Sequence, residues 1–455
     1  MPISPDRDLV ESVWNHFSSE QFWRAAFAPA SHKFDVIPPL LRSAWCETWY
    51  DNFGNLVSVS DPDLWFSYEI KSQFCIADCV DAEPLKSVEM SSLIENADLP
   101  LEMTGGSRFL RACLKKPTDR PPVWFLRQAG RYMAEYREVR KHHSLVEICK
   151  RPELAAEVTI TAAEKLGVDA AIIFADLLLP LEPMGLDFEF VAGEGPTVHH
   201  PLRSAEAIDR LRTDRAGQLE YVAAAIEKVA GHFGDALGMI GFCGAPFTLA
   251  SYMIEGGSSR NYVHTKQMMY SETDAWRRLL DKLVTVLTAF ARQQVDAGAD
   301  VIQIFDSWVG SLSVEDYRDY VLPVTKRLVR AVQEMGVPVI YFGVDTASLL
   351  PAMRETGADV IGLDWRTPLD EGWRAMEYGC AVQGNLDPIT LFAPEPILET
   401  RVKQVLAQAA GRPGHIFNLG HGIVPGTPVE NVQAVVRMVK AFSPQFAMGE
   451  AAARG

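Results

Sequence analysis

From residue 121 onward the chain repeats one unit eight times: a short apolar run rich in Val, Ile and Phe, then a longer stretch of helical period. The runs are VWFLRQ from 123, AAIIFAD from 170, LGMIGFCG from 237, VIQIFDS from 301, VPVIYFG from 337, VIGLDW from 360, AVQGNL from 381 and HIFNLGHG from 415. Runs apolar on both faces belong to parallel strands covered by helices. The stretches between them, such as RPELAAEVTITAAEKLG, AWRRLLDKLVTVLTAFARQQVDAG and ENVQAVVRMVKAF, place their apolar residues on one helical stripe. Gly167, Gly298, Gly336, Gly357 and Gly379 each stand between a helix and the next run, where a C-cap glycine is expected. Eight such units predict an α/β fold, a (β/α)8 barrel, whose usual length of about 250 residues leaves room for insertions. A doubly wound open sheet is the competing arrangement. The long segment LEPMGLDFEFVAGEGPTVHHPLRSAEAI after the second run is expected to be such an insertion, a hairpin.

A barrel of this kind gathers its chemistry at the C-terminal ends of its strands. Those positions read Arg127 and Arg131, Asp176, Pro246 to Tyr252, Asp306 and Ser307, Gly343 to Asp345, Asp364, Asn385 to Asp387, and Asn418 with His421. Arg127 and Arg131 flank a small turn of Gln128, Ala129 and Gly130, in a chain whose net charge is -16. Either the protein's own acids, Asp176 and Asp306 among them, neutralise this pair, or it awaits an anionic ligand that two guanidiniums can fork onto. Asp176 follows AAIIFA, so its carboxylate stands against an apolar wall, as an ion-pair member or as a site group. Tyr252 lies about two turns into a helix that starts at a proline turn, where a core tyrosine is the simplest reading. His421 sits between glycines at the last strand end, where ligand contact is favoured over core packing.

The bulk of the sequence excludes several classes. An acidic chain lacks the basic face that nucleic acid requires. Seven cysteines at 46, 75, 79, 113, 149, 243 and 380 show neither a disulfide framework nor metal spacing. The start MPISPDRDLVESVW carries acids where a secretion signal needs a basic start and an apolar core. No apolar run approaches the ~18 residues of a membrane span. A cytoplasmic location without membrane association is therefore expected. Residues 1–102 carry a net charge of -11 and five of the ten tryptophans, so they read as a foldable, acidic extension rather than a loose tail. This extension is either an accessory segment of unknown function or a stretch of codons ahead of the true start at Met103. The barrel occupies 103–455.

Two long segments, PVWFLRQAGRYMAEYR and GFCGAPFTLASYMIEGG, resemble the two signatures of the uroporphyrinogen decarboxylase family. IIFADLLLP, QIFDSWVG, GLDW, QGNLDP and FNLGHGIVPGTPVENV are similar to its further blocks, in the family's order, between about Arg108 and Phe442. Leu126 stands where the family usually has Met. The resemblance implies a (β/α)8 barrel, usually a homodimer, working without cofactor or metal. Its substrate would be uroporphyrinogen III, a cyclic tetrapyrrole with eight carboxylates, whose four acetates lose CO2 to give coproporphyrinogen III. Carried over by motif, Arg127 and Arg131, with the Gln128, Ala129 and Gly130 turn, would handle the acetates. Asp176 would face the pyrrole N–H groups, and Tyr252, Ser307 and His421 would line the pocket. Two rival readings are a cobalamin-dependent methyltransferase with a zinc site and a non-catalytic tetrapyrrole-binding barrel. The first needs a His-x-Cys pair that VIYFGVD lacks; the second would be expected to have lost Asp176 or an arginine.

Overall fold

The computed structural model describes residues 106–191 and 195–447. The acidic, tryptophan-rich segment 1–102 and Met103 lie outside the described residues. Nine strands follow in order: β1 (Ala170–Ile172), β2 (Phe188–Val191), β3 (Gly195–Val198), β4 (Gly238–Gly244), β5 (Val301–Asp306), β6 (Val339–Gly343), β7 (Val360–Gly362), β8 (Ala381–Leu386) and β9 (His415–Leu419). Seven of them form one parallel sheet in the order β1-β4-β5-β6-β7-β8-β9. β2 and β3 pair antiparallel, the hairpin expected in the insertion after the second run.

The first apolar run is not a full strand, yet it closes the barrel. Val123 makes a parallel bridge to Phe417 in β9, with Phe417 N–H donating to Pro122 O at 2.9 Å. On its other side Val123 O accepts from Asp169 N–H at 2.8 Å. Pro121 and Pro122 just before it have no N–H to give to a ladder. Where a neighbouring strand would accept, the Asp169 carboxylate takes the Val123 N–H at 2.8 Å instead. Eight staves therefore surround the axis, and the open sheet is set aside.

Side chains fill the interior. Trp124 Nε1 donates to Gln383 Oε1 at 3.0 Å, and Gln383 Nε2 to Gln303 Oε1 at 3.4 Å. β8 and β5 are separated by two strands in the sheet, so this chain of contacts crosses the barrel. Phe242, Phe305 and Phe342 stack edge to face beside it, with centroids 5.5 and 6.1 Å apart.

The helices follow the sequence pattern closely, at Pro152–Leu166, Thr273–Asp296 and Val429–Ala447 among others. Gly167 caps its helix in the left-handed region at φ 66, ψ 40. Gly379 does not play the expected cap role. The positive φ falls on Glu377 and Tyr378 instead, and a Cβ at Gly379 would come 2.4 Å from the Arg354 guanidinium. That glycine is a site of close approach.

Asp169 holds the closure together. Besides Val123, it accepts from Arg120 at 2.7 and 2.8 Å and from Arg108 at 2.8 Å. Burial alone would push its carboxyl up. Arg120, the Val123 N–H and Arg108 outweigh that and hold it below the usual carboxylate range. A depressed acid stabilises the fold fully above its unfolded pKa of about 3.9 and loses that contribution as pH falls through its lower native value. Asp169→Asn is therefore expected to cost about 2–4 kcal/mol at neutral pH. Thermal melts of both proteins should show this gap narrowing below about pH 4; a gap that does not change with pH would contradict the ionic role.

Candidate active site

Residues Leu126 to Arg131 turn across the C-terminal rim directly after the closing stave. Leu126 N–H donates to Asn418 Oδ1 at 3.0 Å, and Leu126 O accepts from Ile423 N–H at 3.0 Å, so this turn is tied to the end of β9. Arg127 adopts φ 58, a left-handed conformation that costs a non-glycine residue free energy. Its side chain then lies across Gly422, where a Cβ would come within 2.4 Å of the Arg127 Cδ. Both Arg127 and Arg131 are exposed, and neither guanidinium has a hydrogen bond or ion pair among the described residues. Neutralisation by Asp176 or Asp306 through an ion pair is thus not what these arginines do.

The three residues between them behave differently. Gln128 is 1% exposed, and its side chain turns into the core: Oε1 accepts from Phe125 N–H and Nε2 donates to Ala170 O, each at 3.3 Å. Its carbonyl accepts from Tyr132 OH at 2.6 Å. Gln128 therefore locks the turn through its own side chain and carbonyl. Ala129 and Gly130 are half-buried at the rim.

Asp176 stands past the end of β1, half-buried, with Oδ1 accepting the Leu178 N–H at 2.9 Å. Burial pushes its carboxyl up to about 6, and the Leu178 N–H and the positive charge of Arg127 offset only part of that rise. Tyr252 lies on the helix Pro246–Glu255, entered at the expected proline, and stacks on Trp308 with centroids 3.8 Å apart. Burial first, then the charge of Asp176, holds its hydroxyl above the ordinary tyrosine range. His421 packs edge-on to Trp365 at 6.0 Å, and burial and the charge of Arg127 push its imidazole down, so it stays neutral at pH 7. Ser307 is half-buried, and its hydroxyl makes no hydrogen bond among the described residues.

The charge of Arg127 acts on Asp176, Tyr252 and His421, so these four groups share one part of the rim. Other strand-end polar groups belong to the scaffold. Asp306 points outward, away from the mouth, to accept from Thr248 Oγ1 and Tyr341 OH, each at 2.7 Å. Asp364 accepts from the Asp345 and Arg366 N–H groups. Asn385 Nδ2 donates to the Asp364 and Thr367 carbonyls at 2.8 and 2.6 Å. Sequence reasoning missed Trp308, Trp365 and Arg366 as rim groups. Trp308 and Trp365 directly follow the singled-out Ser307 and Asp364, and Arg366 comes one residue later, which was the available signal. No trio of His, Cys, Asp or Glu converges at metal-binding distance among the described residues, so the donor set of a zinc-dependent methyl transfer is not assembled there.

The family model for uroporphyrinogen decarboxylase (URO-D) matches residues 104–442. The chain belongs to the uroporphyrinogen decarboxylase family. It is 65% identical over 341 residues to the uroporphyrinogen decarboxylase of Koribacter versatilis (strain Ellin345), covering 75% of this chain and 97% of that one. A relative of the same name from Solibacter usitatus (strain Ellin6076) is 53% identical over 338 residues, covering 74% and 98%. Among solved structures, a methyltransferase from Methanosarcina mazei shares the fold with a TM-score of 0.61 at 22% identity, covering 74% of this chain and 98% of that one. That likeness concerns the barrel alone.

The contact between Gly422 and Arg127 gives a direct test. In Gly422→Ala the new methyl displaces a flexible side chain and no backbone, so the fold should survive while Arg127 loses its place. We expect a melting temperature within a few degrees of the parent and roughly a tenfold loss of anaerobic uroporphyrinogen III conversion, as for the loss of one charged contact. Unchanged conversion would show that the resting position of Arg127 is immaterial.

Proposed function

We propose that the recess around Asp176 carries out the family's reaction, removing CO2 from the four acetate side chains of uroporphyrinogen III to give coproporphyrinogen III. One observation carries this assignment of roles: a carboxylate raised to about 6 stands with an arginine that has no ion pair among the described residues and a half-buried tyrosine at the barrel mouth.

The chemistry follows from where electrons must go. Breaking the bond between an acetate carbon and its carboxylate releases CO2 and leaves an electron pair. A pyrrole ring protonated on carbon becomes an iminium-like acceptor for that pair. A second proton then completes the methyl group as the first leaves the ring carbon and the pyrrole is restored, so each decarboxylation replaces one CO2 by one proton. Asp176 accepts hydrogen bonds from the pyrrole N–H groups and stabilises the positive charge as it develops. One preorganised group of this kind contributes about 3–4 kcal/mol to lowering a barrier. Enzymes supply roughly 8–23 kcal/mol in total, and orientation of the reacting groups contributes another ~7–11. Arg127 and Arg131 are the groups that orient the acetates. A guanidinium, with a pKa above ~12, is better suited to holding a carboxylate than to releasing a proton. Tyr252 with Trp308 forms an aromatic wall, and Ser307 and neutral His421 offer hydrogen bonds to the substrate.

We further infer that the enzyme works as a homodimer in the cytoplasm, where its relatives' pathway of porphyrin synthesis would draw on it. No helix among the described residues is long and apolar enough to cross a membrane, which agrees with that location. Residues 1–102 are assigned to a separate segment ahead of the decarboxylase domain.

The roles make two expectations. The acid limb of kcat/KM should fall near pH 6 rather than near 4, because protonated Asp176 can no longer accept the N–H groups. Asp176→Asn should lower turnover by ~10²–10³-fold. Its raised carboxyl destabilises the fold above about pH 6, so the Asn variant should melt no lower than the parent at pH 8. Separation of the oxidised porphyrins by carboxylate number gives the rates. Near-parental turnover by the variant would sink the proposed role.

A further inference from the structure

Arg366 belongs to none of the segments that carry the family resemblance, yet it stands on the same rim. β7 leads into the turn Asp364-Trp365-Arg366, and the end of β9 presses against it: a Cβ at Gly420 would come 2.2 Å from Trp365 N. The Arg366 guanidinium lies 4.0 Å above the Trp365 ring, which packs T-shaped against His421. It donates through Nη1 to Asp364 at 3.1 Å, and Nε stands 3.9 Å from Asp345. The Asp364 side chain is only 3% exposed, whereas that of Arg366 is 44% exposed. A guanidinium has five donors in a rigid fork. The Arg366 donors other than these have no partner among the described residues.

Resting on the decarboxylase reading above, we propose that Arg366 binds a propionate carboxylate of the tetrapyrrole at the rim, with its free edge as the donor. Asp364 and the Trp365 face hold the group so that little side-chain freedom remains to be lost on binding. Position separates its task from that of Arg127. Arg127 lies across Gly422 on the turn that follows the closing stave, while Arg366 is tied to Asp364 beyond β7 and rests on the Trp365 ring. Arg127 thus serves the end of the recess where acetates react. Arg366, tethered to Asp364, is held at the rim beyond β7, where a carboxylate that never reacts can be bound. The substrate carries four acetates and four propionates, and the product keeps the propionates alone.

That difference between substrate and product makes the test. Arg366→Gln keeps a donor for Asp364, and Arg366→Lys keeps the charge without the fork. Conversion of uroporphyrinogen III by the parent protein checks the decarboxylase reading itself. Given that, Arg366→Gln should raise KM for uroporphyrinogen III and Kd for coproporphyrinogen III by the same factor, about five- to tenfold. kcat should move by less than twofold, and Arg366→Lys should recover part of both losses. Thermal melts of each variant establish that folded protein is being compared. Weaker binding of the substrate with unchanged binding of the product would overturn the proposal in favour of acetate contact. A loss confined to kcat would overturn it in favour of an effect on His421, and unchanged constants in both variants would remove Arg366 from substrate binding.

Discussion

The seam at Asp169 is the constraint on which the architecture turns. A parallel barrel has no edges only if its last stave meets its first, and here the first stave follows two prolines that cannot donate. The Asp169 carboxylate stands in for a strand on one side of Val123, while Phe417 supplies the ladder on the other. Arg108 and Arg120 make it tolerable to bury that charge. The stave that this seam fixes runs straight into the turn that carries Arg127 and Arg131. Two exposed cations of the mouth therefore hang from a firmly anchored stave, and the strained φ of Arg127 persists because its turn is tied to the end of β9.

The mouth reverses the charge of the molecule as a whole. An acidic protein repels an octa-anion at long range, so the attraction has to be local, and the recess keeps arginines without intramolecular partners to provide it. Asp176 is the exception that the chemistry requires. A carboxylate surrounded by apolar atoms is expensive to ionise, which makes it a strong acceptor once N–H donors arrive. On the proposed reading, the arginines take the macrocycle's charge and Asp176 its reacting ring.

Much of this was legible in the sequence. The βα period marked all eight staves, and the hairpin and the proline-started helix of Tyr252 lay where expected, because hydrophobic spacing and turn residues act locally. The resemblance, carried by ordered blocks, led to the family. What escaped was decided by tertiary contacts. Gln128 looks like a ligand group in RQAGR, yet core carbonyl and amide partners take its side chain. Strand alternation sends Asp306 outward to Thr248 and Tyr341, and a list of strand ends cannot weigh that. Gly379 reads as a cap, but its small size serves Arg354. Arg366 escaped because its significance lies in which neighbours leave its donors unclaimed.

Asp306 also ties the mouth to the outside of the barrel. Its carboxylate holds Thr248, one turn before Tyr252 on the same helix, and Thr248 Oγ1 accepts the Trp308 N–H at 3.3 Å. On the other side Tyr341 donates to it, and Tyr341 OH in turn accepts from Tyr317 OH at 3.4 Å, on the helix Val314–Tyr320. The Tyr252–Trp308 pair at the mouth is thereby braced by a hydroxyl chain running out to the helical layer. Sequence change on that outer helix is free at its exposed positions but not at Tyr317, where drift would loosen a wall two layers away.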